Sequence, residues 1–291
     1  MKHIELLATK ALLEEVGTTP KPGLVDLLGS GGHTDMDCHT FEASAYALQP
    51  YFGRMAELGS VWGGSLPRLF AEIRTIGLEA EKAMFAVTKG VNTHKGMLFS
   101  VGVLSAASAY ALSHYESTDS DLLCSLAIGM TRQTLEEEFK QILNKTTKTH
   151  GEELYAKQGV RGIRGEVMDG FASVRTLCLP WYGEYLRQGR DPNLARLQVL
   201  LTLMANVTDT NVLYRHDEKT QRYVHQSALH ILEKGGAFTD EGMALIEKLD
   251  RTFTEKKISC GGCADLLGVT IFLNDLSLLD KEISSAKVVN W

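Results

Sequence analysis

The chain has 291 residues, 44% of them hydrophobic and 23% charged, with 30 basic against 36 acidic side chains for a net charge of −6. This is ordinary globular composition and excludes disordered and fibrous classes. A net acidic chain also lacks the basic face that duplex nucleic acid or an anionic membrane requires, so neither is expected as a partner.

At this length one large domain, or two intimately packed ones, is expected, and roughly three quarters of the unfolded surface can be buried, so no disulfide or structural metal is needed to hold a core. With helical spacing recurring along the chain, the reading is a single all-α domain over residues 1–291. The N-terminus, Met1 to Glu15, has no uninterrupted apolar core, so no secretory signal is visible and a cytoplasmic location is expected. Cys38, Cys124, Cys178, Cys260 and Cys263 are odd in number, and reduced, mostly buried thiols are expected.

Ile4, Leu7, Ala8 and Ala11 recur at helical spacing and predict the first helix. The segment Thr18 to Asp37 then breaks the pattern. Pro20, Pro22 and Gly23 stiffen a loop presenting Lys21 and Asp26, which reads either as a charged binding loop or as a tight interhelical connection. His33-Thr34-Asp35-Met36-Asp37 sets two carboxylates two residues apart ahead of a helix starting near Thr40. Hard-oxygen coordination of Mg²⁺ is the favoured reading of Asp35 and Asp37, with helix capping by Asp37 the alternative.

Phe41, Ala45, Leu48, Phe52, Met55 and then Leu69, Ile73, Ile76, Ala80, Met84, Val87 predict two long amphipathic helices. Asn92-Thr93-His94-Lys95-Gly96 opens a stretch without charge from Gly96 to Tyr115. Its serines, alanines and His114 argue for a helix buried all round in the core instead of a membrane span. Gly102, Ala106 and Ala109, spaced four and three apart, allow a neighbouring helix to approach closely. Backbone donors at the start of this helix, with Lys95, suit an anion.

Thr149 to Arg175 is the densest polar segment. Thr149 and Glu152 have capping-box spacing. Arg161 and Arg164, separated by small residues, can reach a polyphosphate together. Glu166 and Asp169 share a face if a helix begins there, although a solvated face of mixed charge is the alternative. Pro192 suits a first helical position, and Leu194, Leu197, Leu201, Met204 continue that helix. Asn206 to Asn211, with Asp209 and Asn211 two apart, suits a metal, a water or ribose hydroxyls, or merely a turn, and leads to Arg215. Its likeness to Asn92-Thr93-His94 is too short to establish a duplication. Met243, Ile246, Leu249 and Phe253 mark a further helix. Cys260-Gly261-Gly262-Cys263 has no second cysteine pair and reads as a flexible turn before a helix beginning near Asp265, with zinc or redox chemistry disfavoured.

Taken together, Thr19 to Asp26, His33-x-Asp35-Met36-Asp37, Asn92 to Gly96, Gly159 to Glu166 and Asn206 to Asn211 resemble the triphosphoribosyl-dephospho-CoA synthase family, from about Glu14 to beyond Leu273. The family's Ser-Pro-Gly-Gly-Ser-Ala-Asp stands here as Ser259-Cys260-Gly261-Gly262-Cys263-Ala264-Asp265. The resemblance implies an all-α enzyme that joins ATP to 3′-dephospho-CoA and releases adenine, making the prosthetic-group precursor of citrate lyase. A related branch serves malonate decarboxylase, but the Arg161 to Gly170 stretch looks more like the citrate lyase branch. A transient contact with the acyl-carrier-protein transferase of the same pathway is also implied. Under this resemblance Mg²⁺ on the triphosphate falls to Asp35, Asp37 and Asp209. Substrate binding falls to Lys21, Asp26, His94, Lys95, Arg161, Arg164, Asn211, Arg215, Gly261 and Gly262. The base that takes the acceptor's proton falls to Glu166, with Asp169 or His33 as alternatives. Two rival classes are a metal-dependent phosphohydrolase and a non-catalytic nucleotide sensor or carrier-protein chaperone.

Overall fold

The structure, a computed structural model, describes the backbone of residues 1–289 and the side chains of residues 1–279. It is all-α, with no strand among the described residues. In chain order the helices are α1 (Lys2–Gly17), α2 (Cys38–Ser60), α3 (Leu66–Val87), α4 (Lys95–Tyr115), α5 (Ser120–Ile142), α6 (His150–Gln158) and α7 (Gly162–Met168). A π-helical turn, Val174–Cys178, runs into α8 (Leu179–Arg187). Then come α9 (Pro192–Asn206), α10 (Thr210–Arg215), α11 (Glu218–Glu233), α12 (Asp240–Lys256) and α13 (Gly261–Val289).

The uncharged helix α4 is the bundle's axis and packs against α1, α2, α3, α5 and α13. Its residues from Met97 to Ala109 are almost all buried, as an all-round apolar sequence requires. The small residues act as predicted. A Cβ on Gly59 of α2 would overlap the carbonyl of Ala106, and one on Gly102 would lie 2.7 Å from Met55 Sδ. Only glycine lets α2 and α4 approach this closely, and Met55 of α2 is buried against Gly102 there, a burial contributing about 1.5–3 kcal/mol. The first 19 residues of α13 are, like α4, long and apolar enough to cross a membrane, and both are mostly buried inside the bundle.

The caps follow the sequence. Thr149 and Glu152 form the expected capping box on α6, and Pro192 occupies the first turn of α9. Two starts differ from expectation. Helix α2 begins at Cys38 because Asp37 caps it, and α13 begins at Gly261, four residues earlier than the glycine pair suggested.

Candidate active site

The five polar stretches that broke the amphipathic pattern meet on one cavity of about 1010 Å³. That is the upper end of the range for ligand sites, which run to roughly 1,000 Å³. Lys21, His33 and Asp35 come from the α1–α2 loop, and His94 and Lys95 from the start of α4. Arg161, Arg164, Glu166 and Asp169 come from in and around α7, Asn211 and Arg215 from α10, and Gly261 and Gly262 from the start of α13. Met55, Phe70, Ile73, Phe99 and Leu135 of α2 to α5 supply an apolar wall. Of the residues singled out in the sequence, Asp26, Asp37 and Asp209 are not on the wall.

Most of the cations on the wall already hold a carboxylate. Lys95 Nζ lies 2.6 Å from Glu81, Arg161 pairs with Asp169, Arg74 pairs with Glu138, and Arg164 approaches Glu138 at 3.9 Å. These pairs are part-exposed, and such pairs contribute about 0–1 kcal/mol, so an incoming phosphate can displace the carboxylate at little cost. Arg215 is exposed and has no ion pair among the described residues.

Lys21 differs from these. It is 1% exposed, and its Nζ bonds the Glu15 carboxylate and, at 2.8 Å, the Glu15 carbonyl. Burial pushes the Glu15 carboxyl above the usual range while Lys21 pulls it back. The expectation of a lysine free for phosphate is therefore corrected: the Lys21 charge neutralises a buried acid in the cavity floor. Asp26 is likewise internal, accepting N–H bonds from Lys21, Leu28 and Gly29 that set the loop's shape.

The three acids read as a magnesium set do not form one. Asp37 is exposed and accepts from Thr40 N at 2.8 Å and from the Thr40 hydroxyl, which is helix capping; those bonds hold its carboxyl below the ordinary range. Asp209 is buried, caps α10 through Asn211 N and Val212 N, and accepts from Cys263 N at 2.9 Å. Its oxygens are thereby occupied by donors, where a cation would need them open. Asp35 alone of the three faces the cavity, and no cluster of three metal-ligating side chains exists among the described residues. A resident, protein-held Mg²⁺ does not fit this arrangement.

Glu166 accepts from Ser173 N at 3.2 Å and Ser173 Oγ at 2.5 Å, and has no cation partner among the described residues. Asp169 is neutralised by Arg161, with Arg132 at 3.8 Å. His33 Nε2 lies 3.0 Å from Ser259 Oγ, and burial together with the nearby Arg215 lowers its pKa. His94 is 1% exposed, and burial takes its pKa down to about 3, leaving a neutral imidazole.

Gly261 and Gly262 owe their identity to close approach. A Cβ on Gly261 would sit 2.6 Å from Asn211 Nδ2, and one on Gly262 3.0 Å from Asp209 Oδ2, so the glycines let the starts of α10 and α13 dock. Cys260 and Cys263 are fully buried and unpaired, and burial raises both thiols well above their usual range.

Sequence reasoning missed Glu15, Asp265 and the stacked pair His150–Tyr214, whose ring centroids are 3.7 Å apart, all on the wall. Glu15 carried a signal: it continues the buried stripe Ile4, Ala8, Ala11, where a charge demands a partner. Asp265 carried one too, since it closes the Ser259 to Asp265 stretch that matches the family's motif. Its carboxyl accepts from Met97 N, lies against Gly96 and is raised well above the normal range by burial and by Glu15.

Residues 1–284 match the family described as CitG: ATP:dephospho-CoA triphosphoribosyl transferase. The chain is 41% identical over 271 residues to a probable 2-(5″-triphosphoribosyl)-3′-dephosphocoenzyme-A synthase of Lactiplantibacillus plantarum, covering 91% of this chain and 94% of that protein. Proteins of the same description from Streptococcus mutans and Photobacterium profundum are 35% and 38% identical, each over 96% of this chain and over 98% and 88% of their own lengths. No solved structure matches.

The chain belongs to the ATP:dephospho-CoA triphosphoribosyl transferase family. In this triphosphoribosyl transferase the cavity brings together weakly paired cations, the Glu166 carboxylate held by Ser173 with no cation partner among the described residues, and an apolar wall.

Proposed function

We infer that this transferase joins ATP to 3′-dephospho-CoA, giving 2′-(5″-triphosphoribosyl)-3′-dephospho-CoA and adenine. The observation that carries the reading is the convergence of all five motif stretches on one cavity of about 1010 Å³, in a chain of this family. In the reaction the ribose C1–N9 bond of ATP breaks with its electron pair going to adenine. The acceptor's 2′-oxygen bonds C1, and the proton it loses ends on adenine.

Glu166 is the favoured base because it faces the cavity without a cation, whereas Asp169 is tied to Arg161; His33, held by a serine hydroxyl as Glu166 is, remains the alternative. Lys95, Arg161, Arg164 and Arg215 receive the phosphates, exchanging weak ion pairs for stronger charge-assisted bonds. Magnesium enters as MgATP, where substrate phosphates supply most of the ligands and one wall carboxylate, Asp35, suffices. The Arg161 to Gly170 stretch favours service to citrate lyase over malonate decarboxylase. Work in the cytoplasm and hand-over of product to the acyl-carrier-protein transferase accompany that reading, with no nucleic-acid or membrane partner.

Mass spectrometry of the products from ATP plus dephospho-CoA tests this. Equimolar adenine and triphosphoribosyl-dephospho-CoA are expected. Phosphate release with adenine still attached to ribose would replace the transferase by a phosphohydrolase.

A further inference from the structure

His94 stands at the entry to α4, lines the cavity, and is edge-on to Phe41 with centroids 4.8 Å apart. Its Nδ1 lies 2.8 Å from Ser44 Oγ, and Thr93 Oγ1 donates to that same Ser44 oxygen at 2.7 Å. With the Ser44 oxygen already accepting from Thr93, the Ser44 proton can point at Nδ1, an arrangement that places the imidazole proton on Nε2. Nε2 is buried and has no hydrogen-bond partner within the protein. A buried donor left unmade costs stability, so its retention on a cavity wall points to a ligand that completes it.

We propose that Thr93 and Ser44 lock His94 as its Nε2–H tautomer, and that this N–H bonds N3 or N7 of the departing purine, the ring nitrogens one carbon removed from the N9 of the breaking bond. The inference rests on the transferase reading. A neutral donor edge-on to Phe41, beside a Lys21 whose charge is already matched by Glu15, suits an uncharged acceptor better than a phosphate, which the exposed cations serve. As the C1–N9 bond breaks, the electron pair moves into the purine ring, so the bond from Nε2–H strengthens in the transition state. No proton leaves His94, whose depressed pKa keeps the donor neutral throughout. Ser44 and Thr93 are positioning residues that act through His94.

Two measurements on the full chain test this. Ring ¹⁵N spectra of histidine-labelled protein, with His94 assigned by its loss in His94→Gln, should show Nε2 protonated, Nδ1 bare and no titration between about pH 5 and 8. In Ser44→Ala the tautomer should become mixed, with kcat lowered and the KM for ATP retained. An Nδ1–H tautomer in the wild type would overturn the proposal. Kinetically, either 3-deaza-ATP or 7-deaza-ATP should lose roughly 10-fold or more in kcat with wild-type enzyme. His94→Phe should lose a similar factor with ATP and nothing further with that analogue. Multiplying losses, or wild-type enzyme using both analogues as well as ATP, would reject the contact even if the variant fails to fold. Absence of adenine release from ATP itself would instead sink the transferase reading, while the ¹⁵N spectra still report the tautomer.

Discussion

Asp209 accepts a hydrogen bond from the backbone N–H of Cys263 at 2.9 Å, joining the starts of two helices 54 residues apart in sequence. The same carboxylate caps α10, and Gly262 gives it room. An acid whose spacing suggested a metal ligand is therefore a clamp that fixes one side of the cavity. Asp209→Ala should leave three N–H groups without their acceptor and destabilise the protein by about 1–3 kcal/mol. Urea unfolding monitored by circular dichroism reads this, and an unchanged midpoint would refute the clamp.

Lys21 and Glu15 make a second internal device. Lys21→Ala strands a buried carboxylate and should cost about 3–5 kcal/mol. Replacing both residues by apolar ones of similar volume should recover most of that loss. A Lys21→Ala protein with native stability but a raised KM for ATP would return Lys21 to the phosphate site.

The helix-capping role of Asp37 separates cleanly from metal binding. Asp37→Ala should lower the thermal midpoint by a few degrees, while Asp37→Ser restores it and the magnesium dependence of turnover stays as in the wild type. A shifted magnesium dependence would show a ligand.

Glu166→Gln keeps an acceptor for Ser173 yet removes the base. Turnover should fall roughly 10²-fold or more with ATP binding retained. Near wild-type turnover would move the role to Asp169 or His33.

His94 also predicts a pH dependence. Its pKa is about 3 in the folded protein against roughly 6.5 unfolded, so the unfolded state binds more protons between those values. The resulting stability is complete above the unfolded value and declines as pH falls below it, by about 1.4 kcal/mol per unit. Lys21 lowers the imidazole pKa in the same direction as burial. The difference in unfolding free energy between wild type and His94→Phe, followed from pH 7 downward, should show this slope, and a flat difference would contradict it.

In the sequence by itself, local periodicity along the chain showed helices α1 to α4, α9 and α12, capping chemistry showed the start of α6, and ordered motifs showed the family, whereas α5, α8 and α11 and most of the acidic caps carried no expectation. The sequence also indicated which five stretches carry polar function. Only the tertiary structure decided what each side chain does there. Asp37 and Asp209 cap helices, Lys21 is bound to Glu15, and Asp265 joins the wall through α4. A carboxylate's role depends on which donors and cations the fold brings within about 3 Å. Some of those partners are local, as Thr40 is for Asp37, and there the sequence already offered capping as an alternative; others, such as Cys263 for Asp209, lie in distant helices at separations that no pattern along the chain encodes.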